Sequence, residues 1–360
     1  MKLLMVTFGT ELVASSRTRA YQWIPHLKQE GIKVSLIPLS LSLEYAWKLD
    51  ARKQKAHPTL KGLFTLAIGL ARLLDSIVAP LQKSRVLLDA RRVDLVYVQK
   101  ALLTERFLKV LFYLNKNLVF DFDDAIQELS EKKAKMTEST LKYCKIVTVE
   151  NSFNGDFSKR ITGRDPLFIL GPIDCDRYSP RKSSSPDKIV IGWIGSPSTS
   201  VYLNECKEPL MALLNDHENL NILLIGAGAN PINHPRCQSR NWELSTECSD
   251  LHQLDIGIMP LPDTPWTRGK GGYKILQYMA IGIPCVASPV GVNSQIIDHG
   301  INGFLASQPS EWYLHLNELV SSSQRRLEMG IKAREKAVSK YSFQSYLPQL
   351  LRSFEVTTNS

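Results

Sequence analysis

The forty residues from Trp266 to Leu305, WTRGKGGYKILQYMAIGIPCVASPVGVNSQIIDHGINGFL, constrain this chain more than any other stretch. Gly269, Gly271 and Gly272 make a flexible turn that carries Arg268 and Lys270. Helical spacing follows, with Ile275 over Met279 and Leu276 over Ala280. The pattern predicts a helix ending near Gly282, a short buried strand over 283–288 and a turn over 289–293. A glycine turn running into a helix aims backbone N–H groups and the positive end of the helix dipole at one spot, which suits a phosphate. Lys274 lies in the first helical turn and Gln277 one turn later on the same face, so one ligand could touch both. The turn after the strand falls where open α/β sheets bind ligands. The plain alternative is a surface helix with a solvated Lys and Gln, followed by an ordinary loop.

The remainder alternates in the same way. Apolar runs predict strands over 3–8, 32–39, 94–99, 118–122, 146–149 and 168–170, then over 189–194, 221–225 and 254–260. A βαβ opening implies a doubly wound parallel sheet whose first loop overhangs the ligand crevice, and that loop carries Ser15, Ser16, Arg17 and Arg19, a set suited to an anionic acceptor or to helix capping. No G-x-G-x-x-G fingerprint occurs there, which counts against a dinucleotide enzyme. The fourth strand delivers Asp121, Asp123 and Asp124, whose mutual repulsion fits proton transfer or hydroxyl binding. The run Asp124-Ala-Ile-Gln127 also matches a capping box, in which Asp124 would cap the next helix. Beyond the Ser-rich stretch 181–187, the loop Gly195-Ser-Pro-Ser-Thr199 offers hydroxyls and N–H groups for a diphosphate, whereas GAGAN at 226–230 reads as a tight turn.

Composition narrows the class. Six scattered cysteines with no C-x-x-C pair indicate neither a disulfide framework nor a zinc knuckle, and a reducing cytoplasm fits. MKLLMVTFGT reads as a first strand and not as a signal peptide. The longest uncharged apolar candidate, residues 62–71, is closed by Lys61 and Arg72, short of the roughly 20 residues a spanning helix needs. Charge is uneven: residues 1–110 hold 18 Lys and Arg against 8 Asp and Glu, and 48–92 alone hold 10 against 3, beside an apolar stripe through Leu63, Phe64, Ala67, Leu70, Leu74, Ile77 and Val78. That pairing suggests contact with an anionic membrane surface; a core-facing helix with a basic back is the alternative. The basic excess has no interleaved aromatic platform, so no nucleic-acid partner is expected.

Three pieces of the chain, KILQYMAIGIPCVAS, PVGVN and IIDHGINGFL, closely resemble the nucleotide-binding part of family 4 glycosyltransferases. GPIDCDRYSP at 171–180 is similar to the family's crossing between domains. The resemblance implies the GT-B fold: two Rossmann-like, doubly wound parallel-sheet domains facing a central cleft. The expected division is an acceptor-binding domain over 1–170, a linker over 171–187, a nucleotide-sugar domain over 188–340 and a helix over 341–360 returning to the first domain. The implied donor contacts are Gly195, Ser196, Lys270, Gly271, Gly272, Gln277, Val290, Gly291 and Val292. Lys274, with Arg268 or Lys270, would stabilise the leaving diphosphate, Asp123 would serve catalysis, and Ser16, Arg17, Arg19 and Asp124 would meet the acceptor. No cofactor or metal beyond the nucleotide-diphosphate sugar is expected. The family's paired glutamates fall here on Gly269 and Gln277; the amide carbonyl of Gln277 can share the ribose-binding task of one, but Gly269 cannot replace the other. The expected activity is retaining sugar transfer to a glycan or lipid-linked acceptor in surface polysaccharide assembly, at the cytoplasmic membrane face. The rivals are a nucleotide-sugar epimerase, a phosphorylase and a non-catalytic relative that binds sugar or acts as a scaffold.

Overall fold

A computed structural model describes residues 1–43, 58–181, 188–228 and 230–359 of the 360. The chain divides into two compact units, Met1–Pro172 with Tyr346–Ser360, and Ile173–Ser345. Residues 173–181 thus belong to the second unit, while 182–187 of the Ser-rich stretch lie outside the described residues.

The first unit holds strands β1 (Lys2–Thr7), β2 (Lys33–Pro38), β3 (Leu95–Gln99), β4 (Leu118–Phe122), β5 (Ile146–Val149) and β6 (Leu167–Phe168). They pair in parallel in the order β2-β1-β3-β4-β5-β6. The second unit holds β7 (Ile189–Ile194), β8 (Leu220–Ile225), β9 (Cys237–Arg240), β10 (Ile256–Met259), β11 (Cys285–Ala287) and β12 (Gly303–Leu305). These are also parallel, in the order β12-β11-β10-β7-β8-β9. Helices cover both faces of such sheets, so β3 and β4 are buried along their whole length and are apolar except for Gln99 and Asp121 near their carboxyl ends. Each sheet reverses its direction of growth once, between β1 and β3 and between β7 and β10. Those reversals place a ligand crevice at the carboxyl ends of these strands.

Two strands gave no signal in the sequence. In β9, Gln238, Ser239 and Arg240 are exposed at a sheet edge, so no apolar run marks it. In β12, a Cβ on Gly303 would stand 2.5 Å from the Cys285 carbonyl oxygen, so a glycine is needed for close pairing with β11.

Five helices matter below: α1 (Trp23–Gln29), α2 (Pro58–Ala90), α3 (Glu131–Tyr143), α4 (Tyr273–Ala280) and α5 (Phe343–Asn359). Ser130 caps α3, its Oγ accepting from the Lys133 N–H at 3.3 Å. The expected Asp124 cap is therefore corrected: a 3₁₀ turn over Ile126–Leu129 intervenes, and the Asp124 carboxylate turns to Lys100. From residue 346 onward α5 belongs to the first unit, where Phe354 is buried edge-on to Tyr97 with ring centroids 6.1 Å apart.

Helix α2 inverts the usual order of a surface helix. Ala71, Val86 and Ala90 are buried, and the Asp75 carboxylate accepts from the Leu41 N–H at 2.8 Å and the Ser40 hydroxyl at 3.0 Å. Leu66, Leu70, Leu73, Ile77 and Leu81, spaced three and four apart, are each more than half exposed. The reading of 62–71 as too short to span needs correction, because the helix runs on through Arg72 and Asp75. Its Thr65–Ala90 portion contains an 18-residue window with a mean hydropathy of 1.3, of which 6% is buried, and is long and apolar enough to cross a membrane by length and composition. Residues 48–57 of the basic segment lie outside the described residues, as do the side chains of Leu63 and Phe64.

Candidate functional site

In the second unit the glycine turn and α4 take the predicted form. Gly272 caps α4 at φ 68°, and a Cβ there would stand 2.4 Å from Ile296 Cδ1, so both conformation and space demand glycine. Gly291, at φ 58°, lies where a Cβ would come within 2.6 Å of the Arg268 carbonyl oxygen. The turn over 289–292 therefore packs directly on the short helix Pro265–Arg268, with Gly291 exposed and Val290 and Val292 buried. Tyr278 fixes α4 beneath the sheet: its hydroxyl accepts from the Ile194 N–H at 3.1 Å and donates to the Ile258 carbonyl at 3.3 Å. Gly257 leaves the room for that ring, since a Cβ would come 2.3 Å from it.

Lys274 lies at the end of β7. Its ammonium stands 5.4 Å from the centroid of the Trp193 ring, and its Cε is 3.0 Å from where a Cβ on Gly195 would be. Gly195 is pinned by an N–H bond to the Ile225 carbonyl at 2.9 Å and pressed by Gly226, whose hypothetical Cβ would meet the Gly195 oxygen at 2.3 Å. The next loop closes on itself, with the Ser196 N–H donating to Thr199 Oγ1 at 3.3 Å and the Ser196 and Ser198 hydroxyls 2.9 Å apart. The three cations of the sequence reading have different neighbours. Lys270 stands 5.0 Å from the Trp266 ring centroid, and Arg268 makes a forked pair with Asp263 at 2.6 and 3.0 Å, half exposed. That hydrogen bond holds the Asp263 carboxyl below its ordinary value.

Gln277 is corrected. It is 4% exposed and donates to the Tyr178 hydroxyl at 3.1 Å, while Tyr178 donates to Glu247, which also accepts from Trp242 Nε1 at 2.6 Å. Burial pushes the Tyr178 hydroxyl well above its ordinary pKa, so it stays a donor in this chain. The helical face assigned to a ligand thus narrows to Lys274, and Gln277 ties α4 to residues 178 and 247.

In the first unit two clusters meet at the ends of β1, β3 and β4. One is internal. Arg19, 1% exposed, bonds Asp121 through Nε at 3.0 Å and also through its terminal nitrogens, Glu150 at 3.2 Å, and the carbonyls of Ile169 and Gly171. Every arm of its guanidinium is committed inside the protein, so the expected acceptor role of Arg19 is corrected to a structural one. Burial pushes the Glu150 carboxyl well above its ordinary range against the opposing pull of Arg19. Ser16 is also internal, its hydroxyl accepting from Gly9 N–H and donating to Gln99 Oε1, each at 3.1 Å. Arg17 is 3% exposed and donates to the Glu11 carbonyl at 3.0 Å, which removes it from the loop surface where it was expected.

The other cluster centres on Lys100, which the sequence reading missed. Its ammonium pairs with Asp123 at 2.8 Å and with Asp124, and its backbone N–H donates to the Asp121 carbonyl at 2.7 Å. Its φ is 52°, a left-handed conformation that is rare for a residue with a side chain. Burial works to raise the Asp123 pKa, but the charge and hydrogen bond of Lys100 outweigh it and bring the carboxyl down to about 2. Asp123 is therefore an ionised acceptor of hydrogen bonds. The signal for Lys100 was available: a cation directly after β3, opposite the two carboxylates Asp123 and Asp124 directly after β4. Among the described residues, no group of three or more His, Cys, Asp or Glu side chains is arranged to hold a metal ion.

Two parallel six-stranded sheets flanked by helices define the class as the GT-B fold of glycosyltransferases. Within that fold, residues 208–322, which include α4 and the turn over 289–292, match the model of a family described as Glycosyl transferases group 1. The structure of HepE from Anabaena in complex with UDP superposes with a TM-score of 0.68 at 15% identity, covering 99% of this chain and 100% of that one. Sucrose-phosphate synthase from Thermosynechococcus elongatus gives 0.65 at 11% identity, covering 99% of each chain. These likenesses are of fold. In sequence, the chain is 32% identical over 80 residues to spore coat protein SA of Bacillus subtilis (strain 168), a match spanning 21% of either chain. The chain thus spans about a fifth of the length of the curated relative it matches.

Proposed function

We propose that this chain is a glycosyltransferase that moves a sugar from a nucleotide-diphosphate donor to a glycan or lipid-linked acceptor, with retention of configuration, in surface polysaccharide assembly. The observation that carries the reading is Lys274, held over Trp193 beside Gly195 at the switch point of the second sheet, inside the matched segment 208–322. HepE has been captured with UDP and with UDP-glucose, and a ligand of that chemistry suits a lysine at a glycine-rich sheet edge. In the proposed reaction the bond from the anomeric carbon to the diphosphate oxygen breaks and a bond to the acceptor oxygen forms. The nucleoside diphosphate leaves with the electron pair, and its departing oxygen takes up the proton that the acceptor hydroxyl gives up. Lys274 stabilises the leaving charge, and in the first unit the ionised Asp123 accepts the hydrogen bond of the acceptor hydroxyl. No resident cofactor enters this scheme. The outward leucines of α2 and the basic excess of residues 1–110 support an acceptor reached at an anionic membrane surface on the cytoplasmic side.

The test is a thermal-shift screen against nucleotide sugars, followed by assay of released nucleoside diphosphate with and without acceptor lipid. A donor at 100 times its Kd stabilises by about 2.7 kcal/mol. Stabilisation by none of the nucleotide sugars would end the reading. Binding without release in either assay would favour the scaffold alternative, which Gly269 at the place of a family carboxylate keeps open.

A further inference from the structure

Lys100 and α2 also border a cavity of about 530 Å³ that lies wholly within the first unit. It opens at the sheet's switch point: Phe8, Leu39 and Lys100 each follow directly on the last residue of β1, β2 and β3. Ala79 and Lys83 of α2 close one side, and the start of α3 closes another. Its walls have a two-part chemistry. Leu102 and Met136 line it beside Phe8 and Leu129, which are 51% and 46% exposed and give the cavity an apolar side. Every charged side chain on the wall is a lysine, namely Lys83, Lys100, Lys132 and Lys133.

The volume falls in the range of small-molecule sites, about 300–1,000 Å³, and exceeds what a lone phosphate needs. The Lys100 ammonium is already paired with Asp123 and Asp124, so Lys83, Lys132 and Lys133 are the cations that select an anion, and the apolar remainder selects an alkyl chain attached to it. Helix α2 joins the cavity to a source of such a molecule, since the helix that supplies Ala79 and Lys83 presents Leu73, Ile77 and Leu81 outward.

We propose that this cavity binds the phosphate or diphosphate ester of a long-chain alcohol, Lys83, Lys132 and Lys133 holding the phosphate and Phe8, Leu102 and Leu129 contacting the first part of the chain. The proposal rests on the reading of the first unit as the acceptor side and supplies the acceptor's chemical class.

Calorimetry on the full chain tests it with decyl phosphate below its micelle concentration, inorganic phosphate and decyl glucoside as separate probes. Decyl phosphate is expected to bind at least about 100-fold more tightly than either other probe. The exposed double substitution Lys132→Glu with Lys133→Glu should weaken it by about tenfold or more, and Leu129→Asp by a similar factor. Hydrogen-exchange protection of β1 and β3 at the parent level reports that the first unit of each variant is folded, and nucleoside diphosphate binding, measured on the same samples, should stay at the parent value. Equal affinity for decyl and inorganic phosphate would reduce the cavity to a free-anion site. Equal affinity for decyl phosphate and decyl glucoside would reduce it to a greasy patch. Either result, or variants that bind decyl phosphate like the parent, overturns the proposal. Decyl phosphate binding absent from the parent while its nucleotide binding persists sinks this inference alone, whereas nucleotide binding absent from the parent sinks the transferase reading.

Discussion

Lys274 and Lys100 both stand at the carboxyl edge of a parallel sheet, yet their surroundings give them different work. Lys274 faces an indole ring and a glycine loop, while Lys100 is held between two carboxylates. Removing a cation that stabilises a leaving group typically costs about 3 kcal/mol, so Lys274→Ala should lower kcat/KM for transfer by roughly 100-fold or more in a protein that still folds. An unchanged kcat/KM would show the lysine to be structural. Asp123 answers to pH. Its carboxyl is lowered from 3.8 to about 2 on folding, so the stabilisation is complete above the unfolded value and is lost as pH falls through the folded one. Urea midpoints should therefore drop between about pH 4 and pH 2 in the parent, and Asp123→Asn should flatten that limb. Asp123→Asn should also impair transfer more than it weakens nucleotide binding. At this scale the sequence spoke about residue type and not about partners. Gln277 and Arg19 are polar residues in promising places, but Tyr178 reaches Gln277 from 99 positions away and Asp121 reaches Arg19 from 102.

Elements were far more legible, because strand and helix periods are local. Ten of the strands carry apolar runs, and the two that escaped are a polar edge and a three-residue strand begun by glycine. The conformations that matter most are at glycines. Gly272→Ala must place a side chain at positive φ and against Ile296, which should cost about 1–3 kcal/mol; chemical denaturation would measure it. For α2 the stripe through Leu70, Leu74 and Ile77 was visible in the sequence, but not that it faces outward, since amphipathic spacing says that one face differs and not which face meets the protein. Ile77→Glu with Leu81→Glu, both at exposed positions, should leave the melting temperature nearly unchanged and abolish sedimentation with anionic vesicles. Sedimentation that survives the substitutions, or that is equal on neutral vesicles, would remove the membrane from the account.

At the scale of the whole molecule, the second unit is a single run of chain set inside the first, whose two segments lie at either end. Phe354 is buried against Tyr97 of β3, and Lys145 donates to the Thr357 carbonyl at 3.0 Å, so the final segment is part of the first unit's core. Phe354→Ala should destabilise that unit by about 3–5 kcal/mol. Hydrogen exchange would check it, with β3 amides losing protection while those of β7 and β8 keep theirs. This connectivity reverses the customary order of assembly on the ribosome. Domains generally fold in the order they emerge. Here residues 173–345 can close their core while the half made before them still waits for its last helix. A chain cut off near residue 345 would carry a finished second unit and an unfinished first one, exposing the apolar surface around Tyr97 to chaperones and proteases.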